Sequence, residues 1–271
     1  MERHRSRPDS LSALDGSNGF RLRGSRVSNG ITGVGDVNGD GYDDLMLSAT
    51  GAGDDHTAAY LVFGAADGLP AHRDVDTFDG STGVKFTSVH PAGLLTVAAA
   101  GDINGDGYAD VAISFPDGSA TDVNIVFGTA TPFGGGFDLD DINASSGMTL
   151  TGRNTDDRTG ARMAPLGDIN GDGVDDLFLG AQMNNPYAPR APTGYVVFGR
   201  TEGLATHLDL GALDGANGFI VEGSAAFQSA TFSALAGGDI NGDGINDVVF
   251  SINGVPGFTF DQPIPAAVDS A

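Results

Sequence analysis

Four short segments of the sequence carry closely spaced carboxylate and amide side chains. They begin at residues 36, 102, 168 and 239 and share the pattern Asp-x-Asn-Gly-Asp-Gly-x-x-Asp, so a copy recurs about every 66 to 71 residues. Aspartates at positions 1, 5 and 9, asparagine at position 3 and the backbone carbonyl at position 7 put five oxygen ligands around one point. Glycines at positions 4 and 6 let the chain wrap tightly. The pattern therefore predicts a site for a hard cation.

The chemistry of these ligands favours calcium. Oxygen ligands without histidine or cysteine favour calcium over zinc or copper, and a flexible loop with several carboxylates favours calcium over magnesium, which keeps its waters. We therefore expect about four Ca2+ ions as cofactors, one per repeat. The predicted ligands are Asp36, Asn38, Asp40, Tyr42, Asp44, Asp102, Asn104, Asp106, Tyr108, Asp110, Asp168, Asn170, Asp172, Val174, Asp176, Asp239, Asn241, Asp243, Ile245 and Asp247.

Two other interpretations of the loops are less favoured. The helical EF-hand loop shares the first half of the pattern but requires a glutamate at position 12, where this chain has Leu47, Ile113, Leu179 and Phe250. Turn formation alone could explain one copy, because Asp, Asn and Gly are common in turns. Four copies in step, each with a carboxylate at position 9, favour a metal loop that leads into a strand.

The composition restricts the classes of partner. The 271 residues include 13 basic and 36 acidic residues, which gives a formal net charge of -23, and only Glu2, Glu202 and Glu222 are glutamates. Aspartate favours turns and hard-cation sites, whereas glutamate favours helices. The negative charge argues against nucleic acid as a partner, and no apolar run is long enough to span a bilayer. The 43 glycines predict a turn-rich fold, and the absence of cysteine excludes disulfides and thiolate metal sites.

Strand signals recur in step with the loops. A short apolar run follows every loop, and a second run ends in Phe-Gly at residues 63–64, 127–128 and 198–199, with Gly257 to Phe260 as the fourth counterpart. A turn and another strand complete a unit of about four strands, which is the content of a propeller blade. With the strands named A to D and the metal loop between A and B, the chain supplies D, three complete blades, then A, B and a candidate C.

These motifs resemble the FG-GAP repeat of integrin α-subunit propellers and their bacterial relatives. The resemblance rests on the Gly-Asp-x-Asn-Gly-Asp-Gly-x-x-Asp loops, on the Phe-Gly pairs and on Gly180-Ala-Gln, the nearest approach to the Gly-Ala-Pro element. It covers nearly the whole chain. It implies an all-β fold, a β-propeller of FG-GAP repeats with about four four-stranded blades. The metal loops would share one face, and partners would bind on the opposite face and at blade edges.

Closure of the ring has three interpretations. A strand near Phe20 to Arg23 would complete the last blade and close a four-bladed ring, which hides the sheet edges. Integrin propellers have seven blades, so the alternatives are an arc that completes itself by oligomerisation and a fragment of a larger protein. We expect one propeller domain over residues 11–260, between a basic tail at 1–10 and a C-terminal tail at 261–271. Its metal loops are 36–44, 102–110, 168–176 and 239–247.

The leading functional hypothesis is a noncatalytic calcium-binding propeller, with structural calcium, that mediates protein or glycan interaction or adhesion. No catalytic residue is assigned, because the histidines occupy no equivalent repeat positions and paired acids such as Asp140 and Asp141 lie in turn-rich connections. The expected location is extracellular or at the cell surface, with the periplasm as an alternative, although no signal peptide is visible. The alternatives are the propeller of a secreted polysaccharide-acting enzyme and a structural subunit of a larger assembly, including a homo-oligomer.

Overall fold

The computed structural model describes residues 11–24, 27–49, 58–88, 95–116, 122–154, 157–181, 191–223 and 231–253. These ranges contain β-strands and short 3-10 turns but no α-helix, so the all-β prediction is confirmed. None of their helical segments has the length and apolar character needed to cross a membrane. The predicted tails at 1–10 and 261–271, and the run from Gly257 to Phe260, lie outside the described residues.

The strands follow one another at short intervals along the chain. The 3-10 turns are Leu11–Ala13, Val75–Thr77, Leu139–Asp141 and Leu210–Ala212. In chain order the strands are β1 (Arg21–Arg23), β2 (Val27–Gly35), β3 (Asp44–Ala49), β4 (Ala58–Val62), β5 (His72–Asp74), β6 (Gly83–Thr87), β7 (Thr96–Gly101), β8 (Asp110–Ser114), β9 (Asp122–Val126), β10 (Gly136–Asp138), β11 (Gly147–Thr151), β12 (Thr159–Gly167), β13 (Asp176–Ala181), β14 (Thr193–Val197), β15 (His207–Asp209), β16 (Gly218–Glu222), β17 (Thr231–Gly238) and β18 (Asp247–Asn253).

Three antiparallel four-stranded units, here called blades, form most of the structure. Blade 1 is β2-β3-β4-β6, blade 2 is β7-β8-β9-β11, and blade 3 is β12-β13-β14-β16. Blade 4 is represented by the antiparallel pair β17-β18. In every blade the predicted metal loop connects the first two strands, as the sequence pattern indicates. The first strands contact one another in succession, β2 with β7, β7 with β12, and β12 with β17.

Apolar layers between neighbouring blades form the core. The second strands β8 and β13 are buried along their whole length, which explains why the sequence there is a continuous apolar run without alternation. Phe86 of blade 1 and Ile113 of blade 2 belong to one layer, and a similar layer joins blades 2 and 3. Between blades 3 and 4 the rings of Phe178 and Phe250 lie edge to face with centroids 5.8 Å apart. Each such buried side chain stabilises the fold by about 1.5–3 kcal/mol.

Three short strands, which the sequence did not predict, cross from one blade to the blade before it. Strand β10 leaves blade 2 and pairs in parallel with β6 of blade 1, and β15 leaves blade 3 and pairs in parallel with β11 of blade 2. Strand β5 leaves blade 1 and pairs in the same way with β1, so that Leu22 lies opposite Arg73. Strand β1 therefore occupies the position of the fourth strand of a blade that would precede blade 1.

Closure of the ring by the N-terminal strand is not observed within the described residues, where β1 pairs in parallel with β5. The fourth strands β6 and β11 make the same parallel pairing with β10 and β15, so this contact leaves the other edge of β1 for the third strand of a blade. The predicted third strand of blade 4, from Gly257 to Phe260, lies outside the described residues, so its pairing with β1 stays a prediction.

Substitution of Gly101 tests the packing of one blade on the next. Gly101 has φ +75°, and a Cβ atom there would lie 2.5 Å from Oδ2 of Asp175 in blade 3. Gly203 has φ +76° but no atom within 4 Å of such a Cβ. We expect Gly203→Ala to lower the free energy of unfolding by about 1–2 kcal/mol through backbone strain. Gly101→Ala should cost about 1–3 kcal/mol more, because it also overpacks the contact between blades.

Urea unfolding of both variants measures this difference, and Gly203→Ala is the control with matched φ. Equal losses of stability in the two variants would contradict the packing of blade 3 against Gly101.

Candidate metal loops

Each of the four loops begins at a β-bulge that ends the first strand of its blade. The register skips one residue immediately before the glycine that precedes each loop. These glycines have φ between 65° and 80°, and those at positions 4 and 6 have φ between 70° and 91°. Residues other than glycine are strained in this left-handed region. The glycine pattern therefore produces the same tight reversal four times.

Backbone amides hold the first three predicted ligands of each loop close to one another. In the second loop the N–H of Asp106 donates to Oδ1 of Asp102 at 3.0 Å and to Oδ1 of Asn104 at 2.9 Å. The Nδ2 group of Asn104 donates to Oδ2 of Asp106 at 2.9 Å. The N–H of Gly107 donates to Oδ2 of Asp102, also at 2.9 Å. Equivalent bonds form in the other three loops.

The position-7 residues are placed by the carboxylate at position 5. Their N–H groups donate to its Oδ1 atom at 2.9 to 3.0 Å in all four loops. The same carboxylate also accepts from the asparagine at position 3. Position 5 therefore orders both sides of the loop from a single side chain. The residues at position 7 are Tyr42, Tyr108, Val174 and Ile245.

The aspartate at position 9 is buried at the base of the loop in the first three repeats. Asp110 is 0% exposed, and its Oδ2 atom accepts from the N–H of Ile103 at 2.9 Å. Its Oδ1 atom accepts from the N–H of Gly128 at 2.8 Å. Asp44 and Asp176 make the same two bonds. Each buried carboxylate thus joins the start of the loop to the end of the third strand.

The glycine of the Phe-Gly pair is a site residue whose role the sequence did not reveal. Gly64, Gly128 and Gly199 supply the second N–H to the buried aspartate. A Cβ atom at these positions would collide with the backbone oxygen of position 8 in the same blade. Only glycine therefore lets the third strand approach the loop closely enough. The recurrence of Phe-Gly in step with the loops was the signal that could have predicted this contact.

Negative charge accumulates in these loops. Burial, together with the negative charges at positions 5 and 1 of the same loop, raises the pKa of Asp44 to about 6, of Asp110 to about 8 and of Asp176 to about 7. The two backbone N–H groups act in the opposite direction. An ion pair joins Arg153 to Glu222 outside the loops.

The donor chemistry of the loops fits calcium, although the side chains do not form a complete cage. In the described ranges, no three acidic or histidine side chains come together as a group that could hold a metal ion. Positions 1, 3 and 5 are in mutual contact, while the position 9 carboxylate is directed to the base of the loop. A carboxylate offers about four lone-pair positions, and two backbone hydrogen bonds leave the others for a cation. A bound Ca2+ would supply positive charge to this cluster of oxygen atoms.

The loops also connect neighbouring blades. The N–H of position 8 donates to the carbonyl oxygen of position 1 in the preceding loop, from Ala109 to Asp36 at 3.1 Å and from Asn246 to Asp168 at 3.0 Å. The residue after Phe-Gly adds a second bond, from Thr129 to the carbonyl oxygen of Val37 at 2.8 Å. Equivalent bonds join blades 2 and 3. Each loop is therefore both a candidate metal site and a joint between blades.

Successive four-stranded sheets joined through such loops define a β-propeller-like repeat protein. The family model described as FG-GAP repeat matches residues 29–62, 95–127 and 160–198. Each matched segment contains the first three strands of one blade and the metal loop. The chain therefore contains three FG-GAP repeats, as its motifs indicate. Such repeats form β-propeller-like domains that are often involved in ligand binding.

Substitution of Asp110 by asparagine tests the buried carboxylate. The asparagine side chain replaces one acceptor by an NH2 donor, so the N–H of Ile103 or Gly128 loses its partner inside the blade. We expect the free energy of unfolding to fall by about 1–3 kcal/mol. Urea denaturation in calcium and in chelator measures the change.

The matched control is Asp67→Asn, which removes the same charge from an exposed residue and should leave stability within about 0.5 kcal/mol of the wild type. Equal stability of Asp110→Asn and the control would contradict a structural role for the buried aspartate.

Proposed function

We propose that this chain is a noncatalytic calcium-binding β-propeller domain that mediates protein or glycan interaction or adhesion. The observation that carries the calcium proposal is the fourfold recurrence of one loop geometry. In three of the loops it places an aspartate at 0% exposure beside two further carboxylates. A divalent cation is the natural counter-charge for such a loop, because the donors are all oxygen atoms.

Calcium in these loops is proposed to be structural. The same backbone that would surround the ion carries the hydrogen bonds between blades, for example from Asp175 to Asp102. Without a cation, three carboxylates in each loop repel one another. Charge repulsion of this kind is comparable with the stability of a marginal domain. Calcium binding to a loop would therefore stabilise its own blade and the contact of that blade with the next one.

A binding role is favoured over a catalytic role because the loop aspartates already accept hydrogen bonds within the fold. The loop carboxylates accept hydrogen bonds from their own loop and blade, so proton transfer to a substrate would disturb the joints between blades. The described histidines His72 and His207 are exposed on separate short strands, β5 and β15. An extracellular, cell-surface or periplasmic location is proposed, because loops of extracellular affinity fill only at high calcium concentrations.

Removal of calcium is expected to destabilise the domain. The melting temperature should fall by several degrees or more in excess EDTA and should recover when calcium is added back, because ions that bind only the folded state stabilise it. Circular dichroism follows the transition, and calorimetry should count about four bound ions. Magnesium at the same concentration serves as the ion control and should restore less stability.

A melting curve that is unchanged by EDTA would contradict structural calcium. Retention of four bound ions in a variant with Asp36→Ala, Asp102→Ala, Asp168→Ala and Asp239→Ala together would contradict the assignment of the loops.

Ligand binding is expected to depend on calcium. Arrays of glycans and immobilised extracellular proteins should retain the domain in calcium and release it after chelation, because the binding surface depends on the arrangement of the blades. Asp67→Asn should bind as the wild type does, whereas Asp110→Asn should bind less. Incubation with polysaccharides should release no reducing sugar, and such release would contradict a noncatalytic role.

A further inference from the structure

The fourth blade exposes side chains that the other blades bury. The residue at position 2 of the loop is 0% exposed in loops 1 and 2, at Val37 and Ile103, but the equivalent Ile240 is 68% exposed. The strand residue Leu235 is 67% exposed, whereas its equivalent Ala98 is 7% exposed. In blade 2 both positions belong to the apolar layer that is shared with blade 3. The exposed surface of blade 4 around Leu235 and Ile240, on the side where a following blade would pack, is here called the tail face.

The first blade has the opposite unpartnered face. Ile31 is 68% exposed on β2, although the equivalent Val97 and Met163 are half-buried against the blade before them. Tyr42 is 43% exposed, whereas the equivalent Val174 is 6% exposed. Ile31 borders an open groove of about 870 Å3 that is also lined by Leu22, Leu45 and Leu47, among others. This surface of blade 1 and β1 is here called the head face.

Backbone groups on the two faces are complementary. At each internal junction, position 8 of one loop donates to position 1 of the loop before it. Among the described residues the N–H groups of Asp43 and Ala65 on the head face have no acceptor, and the carbonyl oxygens of Asp239 and Ile240 on the tail face have no donor. These are the same four groups that pair at the junction of blades 1 and 2. The two faces therefore carry the two halves of a junction that forms in full between blades 1 and 2 and between blades 2 and 3.

The glycines of the last loop are also open. In loop 1 a Cβ atom at position 4 would collide with the ring of Tyr108 from blade 2, and one on the preceding glycine would lie 2.9 Å from Ala109. At the equivalent Gly242 and Gly238 no described atom lies within 4 Å. The tail face thus keeps the recesses that receive positions 7 and 8 of a following loop. Tyr42 and Asp43 hold those positions on the head face.

We propose that the tail face of one copy docks on the head face of a second copy, and that two copies close head to tail into one ring. Strand β1 of each copy then supplies the fourth strand to the blade that β17 and β18 begin in the other. With four blades from each copy the ring has eight, within the range of about four to eight found in propellers. A head-to-tail contact produces a closed ring when its rotation returns to the start.

A second copy is favoured as the occupant by continuity with the existing junctions. Among the described residues the first strands of the four blades contact one another in succession, and residues of both end faces are exposed. A face that already fits a blade of this sequence at three junctions is matched best by another blade of the same sequence. The apolar side chains on both faces provide the driving force for this contact.

Sedimentation equilibrium of the full chain in calcium tests the proposal. The expected mass is that of two chains. Ile31→Asp on the head face and Leu235→Asp on the tail face should each raise the dissociation constant by about 100-fold or more, because each would bury an unpaired charge in the junction. Ala144→Asp adds the same charge to an exposed turn of blade 2 and should remain dimeric. All three variants should keep the circular dichroism spectrum of the wild type.

Mixing the two face variants distinguishes head-to-tail contact from a contact between like faces. The tail face of Ile31→Asp and the head face of Leu235→Asp are both intact, so the mixture should form heterodimers through one intact junction. Head-to-tail association predicts this recovery, whereas association of like faces does not.

Three outcomes would overturn the proposal. One is a wild type that remains monomeric at all concentrations, as it would if the chain closed its own ring. Another is a dimer whose dissociation constant is raised by neither Ile31→Asp nor Leu235→Asp. The third is assembly into open polymers without a discrete dimer, which would show that the junctions do not close.

Discussion

The buried aspartate at position 9 of each loop is the interaction on which the rest of a blade depends. In the first three blades its two oxygen atoms bind two backbone N–H groups that are distant in sequence, one at the start of the loop and one after the third strand. Burial of an unpaired charge costs several kcal/mol, so this carboxylate is tolerated only with such partners. The requirement fixes the glycine of Phe-Gly, since any side chain there would separate the strand from the loop.

The same constraint explains how blades are joined. Because the loop is drawn inward by its buried aspartate, its first carbonyl groups are left on the side of the following blade, where they accept N–H groups from that blade. The glycines at positive φ make the reversal tight enough for this contact. Apolar layers then fill the space between the sheets. A propeller-like order of blades results from repetition of one junction, in keeping with the near-neighbour character of repeat proteins.

Much of this organisation could be predicted from the sequence, because each feature leaves a local signal that recurs. The Asp, Asn and Gly spacing located the four loops, and the apolar runs located the second strand of every blade and the third strand of the first three. The parallel strands β5, β10 and β15 could not be predicted, since they are three residues long and pair with a different blade. Closure through β1 was expected from strand counting, and it stays a prediction because the third strand of the last blade lies outside the described residues. The contact of Gly128 with Asp110 was missed because it joins residues 18 positions apart.

The joints between blades would give a bound calcium ion a role beyond the neutralisation of its own loop. Every internal loop offers carbonyl oxygens to the next blade and donates the N–H of its own position 8 to the preceding loop, so the order of one loop depends on its neighbours. An ion that stiffened one loop would therefore stiffen the adjacent junction as well. The first and last loops each have one such neighbour among the described residues, and they coincide with the exposed head and tail faces. A contact between those faces would give the first and last loops a second neighbouring blade. All four loops, which share one sequence pattern, would then bind their ions in similar surroundings.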